Sequence, residues 1–187
     1  EYETIRFMEE LSSKNTFQRY TSYLGAGAYE HHVPSIVLRY FNVYGPREPV
    51  KGEYAPVIGL FKKQNACGES MTIVGDGSQR RDFTYIDDII EGVIVTLLED
   101  SKDLSLYKLY NIGNSVPIQL MDFIKSIENV LQKDSKKNML PMQPGDVFQT
   151  HSDCTKLKTD YNYIPKIDLD YGVKMFINWY KNYYEII

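Results

Sequence analysis

Cysteine and histidine are scarce in this chain of 187 residues, and their scarcity excludes several kinds of site. The two cysteines, Cys67 and Cys154, can build neither a disulfide framework nor a four-thiolate zinc site. The three histidines, two of which are adjacent, argue against a metal enzyme. We therefore expect no metal site.

Long apolar runs and an excess of positive charge are also lacking. No apolar run approaches the roughly 18 residues that a membrane-spanning helix needs, and no signal-peptide pattern opens the chain. The formal net charge is -4, whereas nucleic-acid-binding domains are usually basic. We expect a cytoplasmic protein with no nucleic-acid or membrane partner. Because the first residue is glutamate, we also expect a fragment or a processed product.

The composition is that of an ordinary folded domain. Hydrophobic residues make up 43% of the chain and charged residues 25%, and the length suits about one domain. Short β-branched segments alternate with amphipathic ones after residue 35, which predicts an α/β protein. The predicted strands are 35–41 (buried), 71–74, 83–86 and 108–112, and the predicted helices are 1–14, 55–66, 89–98, 118–132, 153–160 and 170–186.

Two local patterns carry further predictions. Residues 25–28 read Gly-Ala-Gly-Ala, which favours a tight loop or a close backbone approach. Asp87 and Asp88 precede a predicted helix and are expected to cap it. No glycine fingerprint of the form Gly-x-Gly-x-x-Gly follows a strand, so the chain carries no dinucleotide-binding motif of its own.

Five sequence strings resemble those of one enzyme family, in the same order along the chain. They are 39–47 (RYFNVYGPR), 72–77 (TIVGDG), 81–88 (RDFTYIDD), 110–114 (YNIGN) and 139–147 (MLPMQPGDV). The family is the extended short-chain dehydrogenase/reductases, the NAD-dependent nucleotide-sugar epimerases and dehydratases. The last string resembles UDP-glucuronate 4-epimerases. The resemblance implies that residues 36–187 form the substrate-binding part of an extended Rossmann-type fold, without its N-terminal dinucleotide-binding half.

Residues 1–35 resemble a different protein. The strings 9–15 (EELSSKN) and 23–35 (YLGAGAYEHHVPS) are similar to the N-terminal region of glycine dehydrogenase (decarboxylating) subunit 1, a pyridoxal-phosphate enzyme. On this interpretation the chain is chimeric. A helix and a Gly-Ala loop over 1–35 then precede a nucleotide-sugar-binding domain over 36–187.

The family resemblance implies a set of substrate-binding residues. Arg81 corresponds to an arginine on the nucleotide diphosphate and ribose, or it is a structural partner for Asp82 or Asp88. Asn42 corresponds to an amide near the diphosphate, or it caps a loop. The remaining positions are Tyr40 and Phe41 beside the sugar and nicotinamide pockets, Val74 beside the base, Gln143 near the sugar or phosphate, and Asp146 at a ribose hydroxyl or holding its loop.

The catalytic pair of the family has no clear counterpart. Its Tyr-x-x-x-Lys helix would align with Ser13 and Phe17, and neither side chain can transfer a proton at neutral pH. Tyr2 and Arg6 are a distant local substitute, so we expect no catalytic residue in this chain. The intact family uses NAD, which this chain alone is not expected to bind.

The leading interpretation is therefore the UDP-sugar-binding half of a nucleotide-sugar 4-epimerase, inactive alone. Two alternatives stay open at this point. One is a non-catalytic binding or self-association module, with a homodimer among its forms. The other is a fragment of a glycine dehydrogenase subunit.

Overall fold

The structure, a computed structural model, describes residues 26–27, 30–31, 34–48, 70–99, 101, 105–142 and 146–184. The predicted helices over 1–14 and 55–66, the candidate pair Tyr2 and Arg6, and the candidate Gln143 lie outside the described residues.

Strands alternate with helices along the described chain, as predicted. The strands are β1 (Ser35–Tyr40), β2 (Val43–Tyr44), β3 (Met71–Val74), β4 (Arg80–Arg81), β5 (Thr84–Tyr85), β6 (Tyr107–Ile112), β7 (Ile118–Gln119) and β8 (Lys137–Leu140). The helices are α1 (Ile86–Leu98), α2 (Leu120–Leu131), α3 (Thr155–Tyr161) and α4 (Leu169–Tyr183). Among the described residues, no helix is long and apolar enough to cross a membrane.

Three of the described strand pairs are parallel. β1 pairs with β6, β2 with β5 and β3 with β8, while β4 and β7 form an antiparallel pair. In the longest pair, Ser35 lies opposite Tyr107 and Tyr40 lies opposite Ile112. Parallel strands need a crossover connection, and the chain that connects β1 to its partner β6 includes α1. The pairing confirms the α/β class.

The core has two parts, which bury the apolar faces of the helices against the strands. In the larger part, the Phe123 ring of α2 lies 4.2 Å from Phe83 and 5.5 Å from Tyr44, measured between ring centroids. Its other buried members are Met71, Ile73, Tyr85, Leu120, Ile124, Ile127, Val173, Phe176 and Ile177. The smaller part joins α1, β6 and α3 through Ile89, Tyr110, Ile112, Leu157, Tyr161 and Tyr163.

The first predicted strand is present, but it is less buried than expected. Ile36 is 39% exposed and Tyr40 is 55% exposed. Among the described strands β1 pairs with β6 alone, so its burial depends on one hydrogen-bonded neighbour.

The prediction that Asp87 and Asp88 cap the helix is wrong. Helix α1 begins earlier, at Ile86, and its N-cap residue Tyr85 makes no side-chain capping bond. Asp88 is buried, and its carboxylate accepts hydrogen bonds from the backbone N–H groups of Lys166 and Ile167, each at 3.0 Å. Burial raises the pKa of Asp88, and these two donors oppose the rise. Asp88 therefore anchors the segment before α4, a role that only the tertiary structure reveals.

The expected Gly-Ala loop is also wrong at the described positions. Ala26, Gly27 and Glu30 are helical, and the N–H of His31 donates to the carbonyl of Gly27 at 3.0 Å. A Cβ built on Gly27 would meet nothing within 4 Å, so no close backbone approach requires glycine there. Ala26 favours the helix, because alanine has the highest intrinsic helix propensity.

Helix α4 has a side-chain cap that can be tested. The Asp168 carboxylate accepts from the N–H of Tyr171 at 2.8 Å and satisfies one of the unpaired donors of the first turn. We expect Asp168→Ala to lower the free energy of unfolding by about 1 kcal/mol. Urea unfolding, followed by the fluorescence of the single tryptophan, Trp179, measures the change. Asp168→Asn keeps the accepting oxygen and is the control; an equal loss in both variants would contradict the capping role.

Candidate functional site

The carboxyl ends of β1 and β6 lie at the same edge, because the two strands are parallel. In open α/β sheets this edge is where ligands bind. Phe41 follows β1 and Gly113 follows β6, and a Cβ built on Gly113 would lie 3.1 Å from the Cβ of Phe41 and 2.3 Å from Ser152 Oγ. Glycine is required here because segment 146–153 packs directly on the strand ends.

Arg81 makes three polar contacts, two of which hold it against segment 146–153. Its Nη2 forms an ion pair with Asp146 Oδ1 at 2.8 Å, and its Nη1 donates to the carbonyls of Arg80 (2.9 Å) and Phe148 (3.1 Å). The side chain is 16% exposed. The structural partners expected from the sequence, Asp82 and Asp88, are not the ones observed. The carboxylate of Asp82 accepts from Ser152 and Asn114 instead, and that of Asp88 accepts from the backbone of segment 166–167.

Asn42 has a backbone conformation that explains part of its residue type. Its φ of 33° lies in the left-handed region, which asparagine tolerates better than most residues. Its carbonyl accepts from the N–H of Thr84 at 3.2 Å, and its side-chain Oδ1 accepts from Thr150 Oγ at 2.6 Å. The amide oxygen is thus used by the protein, and the exposed amide keeps its Nδ2 end as a hydrogen-bond donor.

Asp82 is the buried centre of the hydrogen bonds beneath this edge. Its Oδ2 accepts from the N–H of Ser152 at 2.7 Å and from Ser152 Oγ at 2.6 Å, while its Oδ1 accepts from the N–H of Asn114 at 3.0 Å. Its own N–H donates to Thr150 Oγ at 3.0 Å. One fully buried carboxylate therefore joins the connection between β4 and β5 to the end of β6 and to segment 146–153.

Val74 lies at the carboxyl end of β3, beside a second polar group. Its carbonyl accepts from the side-chain amide of the buried Gln79, two residues before Arg81. The following turn needs glycine, since Gly75 has a φ of 84° and a Cβ there would lie 3.1 Å from Met142 Sδ. The Ser78 hydroxyl and N–H donate to Asp76 in this turn and hold the pKa of that carboxyl below its usual range.

Three of the predicted site residues lie around one segment of the chain. Asn42, Arg81 and Asp146 all contact segment 146–150 or belong to it. Tyr40 and Phe41 lie at the same edge, where Tyr40 is 55% exposed and Phe41 is half-buried. The substrate-binding roles assigned to these residues stay predictions.

Sequence reasoning did not identify three residues that organise the site. Thr150 links Asn42 to the backbone of Asp82, and Ser152 binds the Asp82 carboxylate. Gln79 links Val74 to the strand that carries Arg81. The run of polar residues over 149–153 was the signal available in the sequence. Polar composition alone cannot tell a buried hydrogen-bonding segment from an exposed loop.

Buried tyrosines are poor candidates for a catalytic base. Burial raises the pKa of Tyr44, Tyr110 and Tyr163 above the ordinary phenol value. These hydroxyls stay protonated at neutral pH, and two of them donate within the core, Tyr110 to Asp160 Oδ2 at 2.8 Å and Tyr163 to the carbonyl of Asp88 at 3.0 Å. In the described ranges, no group of three or more histidine, cysteine, aspartate or glutamate residues could hold a metal ion.

A comparison with protein-family profiles shows which family the chain belongs to. The profile of the NAD dependent epimerase/dehydratase family matches residues 12–113, which is more than half of the sequence. The chain belongs to this family. The match begins inside the segment that resembles glycine dehydrogenase, so the comparisons do not support a chimeric origin, and the boundary at residue 35 stays a prediction.

Individual relatives agree with the family assignment. The UDP-glucuronate 4-epimerase of Thermodesulfobacterium geofontis is 37% identical over 161 residues, covering 84% of this chain and 47% of that protein. The UDP-glucuronic acid 4-epimerase of Bacillus cereus, solved with UDP-glucuronic acid and NAD, has a TM-score of 0.78 and 34% identity over 87% of this chain and 50% of that one.

A further solved structure is equally similar in fold. The UDP-glucose 4-epimerase of Thermotoga maritima, solved with UDP-glucose, has a TM-score of 0.81 and 30% identity over 90% of this chain and 53% of that one. The chain thus spans about half the length of the relatives it matches. The fold is that of the family's Rossmann-type enzymes, covered in part, as the sequence predicts.

Proposed function

We propose that this chain supplies the nucleotide-sugar-binding half of a UDP-sugar 4-epimerase of the glucuronate type. The observation that carries the proposal is the convergence of Arg81, Asp146 and Asn42 on segment 146–150, at the edge where the β1 and β6 strands end. The relatives of known name act on UDP-sugars, and two were solved with a UDP-sugar bound.

The chemistry of these side chains suits a diphosphate. Arg81 offers a planar fork of N–H donors, the group that pairs best with phosphate oxygens. Asn42 offers an uncharged N–H donor from its Nδ2. Asp146 accepts hydrogen bonds and could take one from a ribose hydroxyl, while Val74 gives the base an apolar contact without ring stacking.

Two of the described glycines, Gly45 and Gly77, serve the packing of this chain. A Cβ on Gly45 would clash with the Ile86 side chain, and one on Gly77 would clash with Met121. Both glycines make room for side chains of this chain. A dinucleotide site needs glycines that admit the backbone to the pyrophosphate. Hydride transfer through NAD therefore belongs, in this proposal, to the half of the family fold that the chain does not span.

In this proposal, the chain performs only the substrate-binding part of epimerisation. Its residues bind and orient the UDP-sugar, and the described tyrosines with raised pKa values do not remove the sugar proton. Weak or absent NAD binding, a cytoplasmic location and the alternative of self-association as a homodimer stay predictions.

Titration calorimetry of the 187-residue chain tests the proposal. We expect saturable binding of UDP at one site, weaker binding of inorganic pyrophosphate, and weaker binding still of uridine, because the charged diphosphate supplies most of the contacts to Arg81 and Asn42. CDP in place of UDP tests recognition of the base. A chain that gives no saturable heat with UDP at millimolar concentration would refute the nucleotide-binding role.

A further inference from the structure

Asn42 is oriented by a hydroxyl that belongs to a distant part of the chain. Thr150 Oγ donates to Asn42 Oδ1 at 2.6 Å, although 108 residues separate the two in sequence. The same hydroxyl accepts from the N–H of Asp82 at 3.0 Å. Thr150 Oγ therefore bridges the side chain of Asn42 and the backbone of Asp82.

The two hydrogen bonds of this hydroxyl favour one orientation of the amide. Since the hydroxyl accepts from the N–H of Asp82, its proton is available for Asn42. An amide oxygen can accept that proton and an amide nitrogen cannot. The 2.6 Å separation is typical of an O–H···O bond and short for an N–H···O bond, which favours the flip state in the structure, with Oδ1 toward Thr150 and Nδ2 away from it.

The other attachments of this pair make the arrangement rigid. The carbonyl of Asn42 accepts from the N–H of Thr84, and the N–H of Thr150 donates to the carbonyl of Arg80 at 3.1 Å. Arg80 is the direct neighbour of Arg81, whose guanidinium contacts Asp146 and Phe148 on the same segment. Thr150 therefore fixes Asn42 relative to the strand that carries Arg81.

We infer that Thr150 is a positioning residue, which presents the Nδ2 donor of Asn42 to the diphosphate of the nucleotide. The inference rests on the proposed function, because it assigns the orientation of one donor in that same site. A pocket that must bind an anion gains from holding the donor end of an amide outward before the ligand arrives, since no reorientation is then needed on binding.

A double-mutant cycle on UDP binding tests this inference. Thr150→Val keeps the shape of the side chain and removes the hydroxyl, and we expect it to weaken UDP binding about 3- to 10-fold, the range for one neutral hydrogen bond. Asn42→Gly removes the amide and tolerates the positive φ. In the Asn42→Gly background, Thr150→Val should change UDP binding by less than about twofold, because the hydroxyl then has no amide to orient.

Three further variants make the result specific. Thr150→Ser keeps the hydroxyl and should bind UDP as the parent does. Thr159→Val removes an α3 hydroxyl that donates to the carbonyl of Thr155 and should also leave binding unchanged. If Thr150→Val does not fold, Thr150→Ala, which leaves room for a water beside the N–H of Asp82, takes its place in the same cycle.

The outcomes separate the inference from the proposal beneath it. If the parent does not bind UDP, the proposed function fails and the inference fails with it. If the parent binds UDP and Thr150→Val binds it equally well, the inference alone is overturned. An equal loss in both backgrounds would also overturn it, because Thr150 would then act independently of Asn42.

Discussion

Replacing Asp82 by alanine is expected to lower the free energy of unfolding by about 3–5 kcal/mol. The carboxylate is fully buried and accepts hydrogen bonds from the Ser152 N–H, the Ser152 hydroxyl and the Asn114 N–H. The Asn114 N–H also donates to Thr84 Oγ at 3.0 Å and keeps a partner in the variant. The two donors of Ser152 lose theirs, and hydrogen bonds to a charged group are worth roughly 1.5–3 kcal/mol each.

Urea unfolding followed by Trp179 fluorescence measures this loss. Asp122→Ala is the matched control, because Asp122 is an exposed aspartate in the first turn of α2 and its removal should cost less than about 1 kcal/mol. Asp82→Asn keeps one accepting oxygen and should fall between the two. A loss for Asp82→Ala no larger than that of the control would show that the network around Ser152 does not stabilise the fold.

The sequence predicted the elements that depend on local pattern. The α/β class, the strands at β1, β3 and β6, and the amphipathic helix α2 all follow from hydrophobic periodicity, which reports which face of an element is buried. The substrate-binding candidates came from family strings, and three of them, Asn42, Arg81 and Asp146, lie around one segment in the structure.

The sequence could not predict which polar groups would meet across the fold. The structural alternative for Arg81 is a pairing with Asp82 or Asp88, but the partner in the structure is Asp146, which is 65 residues away along the chain. Asp88 was expected to cap a helix, but it binds backbone donors 78 and 79 residues away. Contacts at such separation depend on how strands and loops pack, and no local spacing records them.

Replacing Arg81 by alanine should weaken UDP binding about 10- to 150-fold, equivalent to about 1.5–3 kcal/mol for a charge-assisted hydrogen bond. The guanidinium pairs with Asp146 at 2.8 Å, so a diphosphate must either share the fork with this carboxylate or replace it. The effect should also appear with inorganic pyrophosphate, since the contact is to the phosphate oxygens. Calorimetry with both ligands measures it.

The neighbouring arginine gives a matched control for this prediction. Arg80 belongs to the same strand and donates from Nη2 to the carbonyl of Pro117 at 2.7 Å, away from Asp146. We expect Arg80→Ala to weaken UDP binding less than about threefold, because only a long-range charge effect, screened by solvent and salt, is lost. Arg81→Lys keeps the charge but loses the bidentate fork, and its affinity for UDP should lie between those of the parent and Arg81→Ala.

Arg81 is expected to contribute to stability as well as to binding. Its contacts to Asp146 and Phe148 hold segment 146–150, so Arg81→Ala is expected to lose some stability as well as affinity.

A comparison with Asp146→Ala separates a ligand-binding role of Arg81 from a purely structural one. Asp146→Ala breaks the same ion pair and leaves the guanidinium in place. If the ion pair is all that matters, the two variants should lose UDP affinity equally. If the guanidinium binds the diphosphate, Asp146→Ala should keep most of its affinity for pyrophosphate while Arg81→Ala loses it. Equal pyrophosphate binding by the parent and Arg81→Ala would make Arg81 a structural partner of the segment and nothing more.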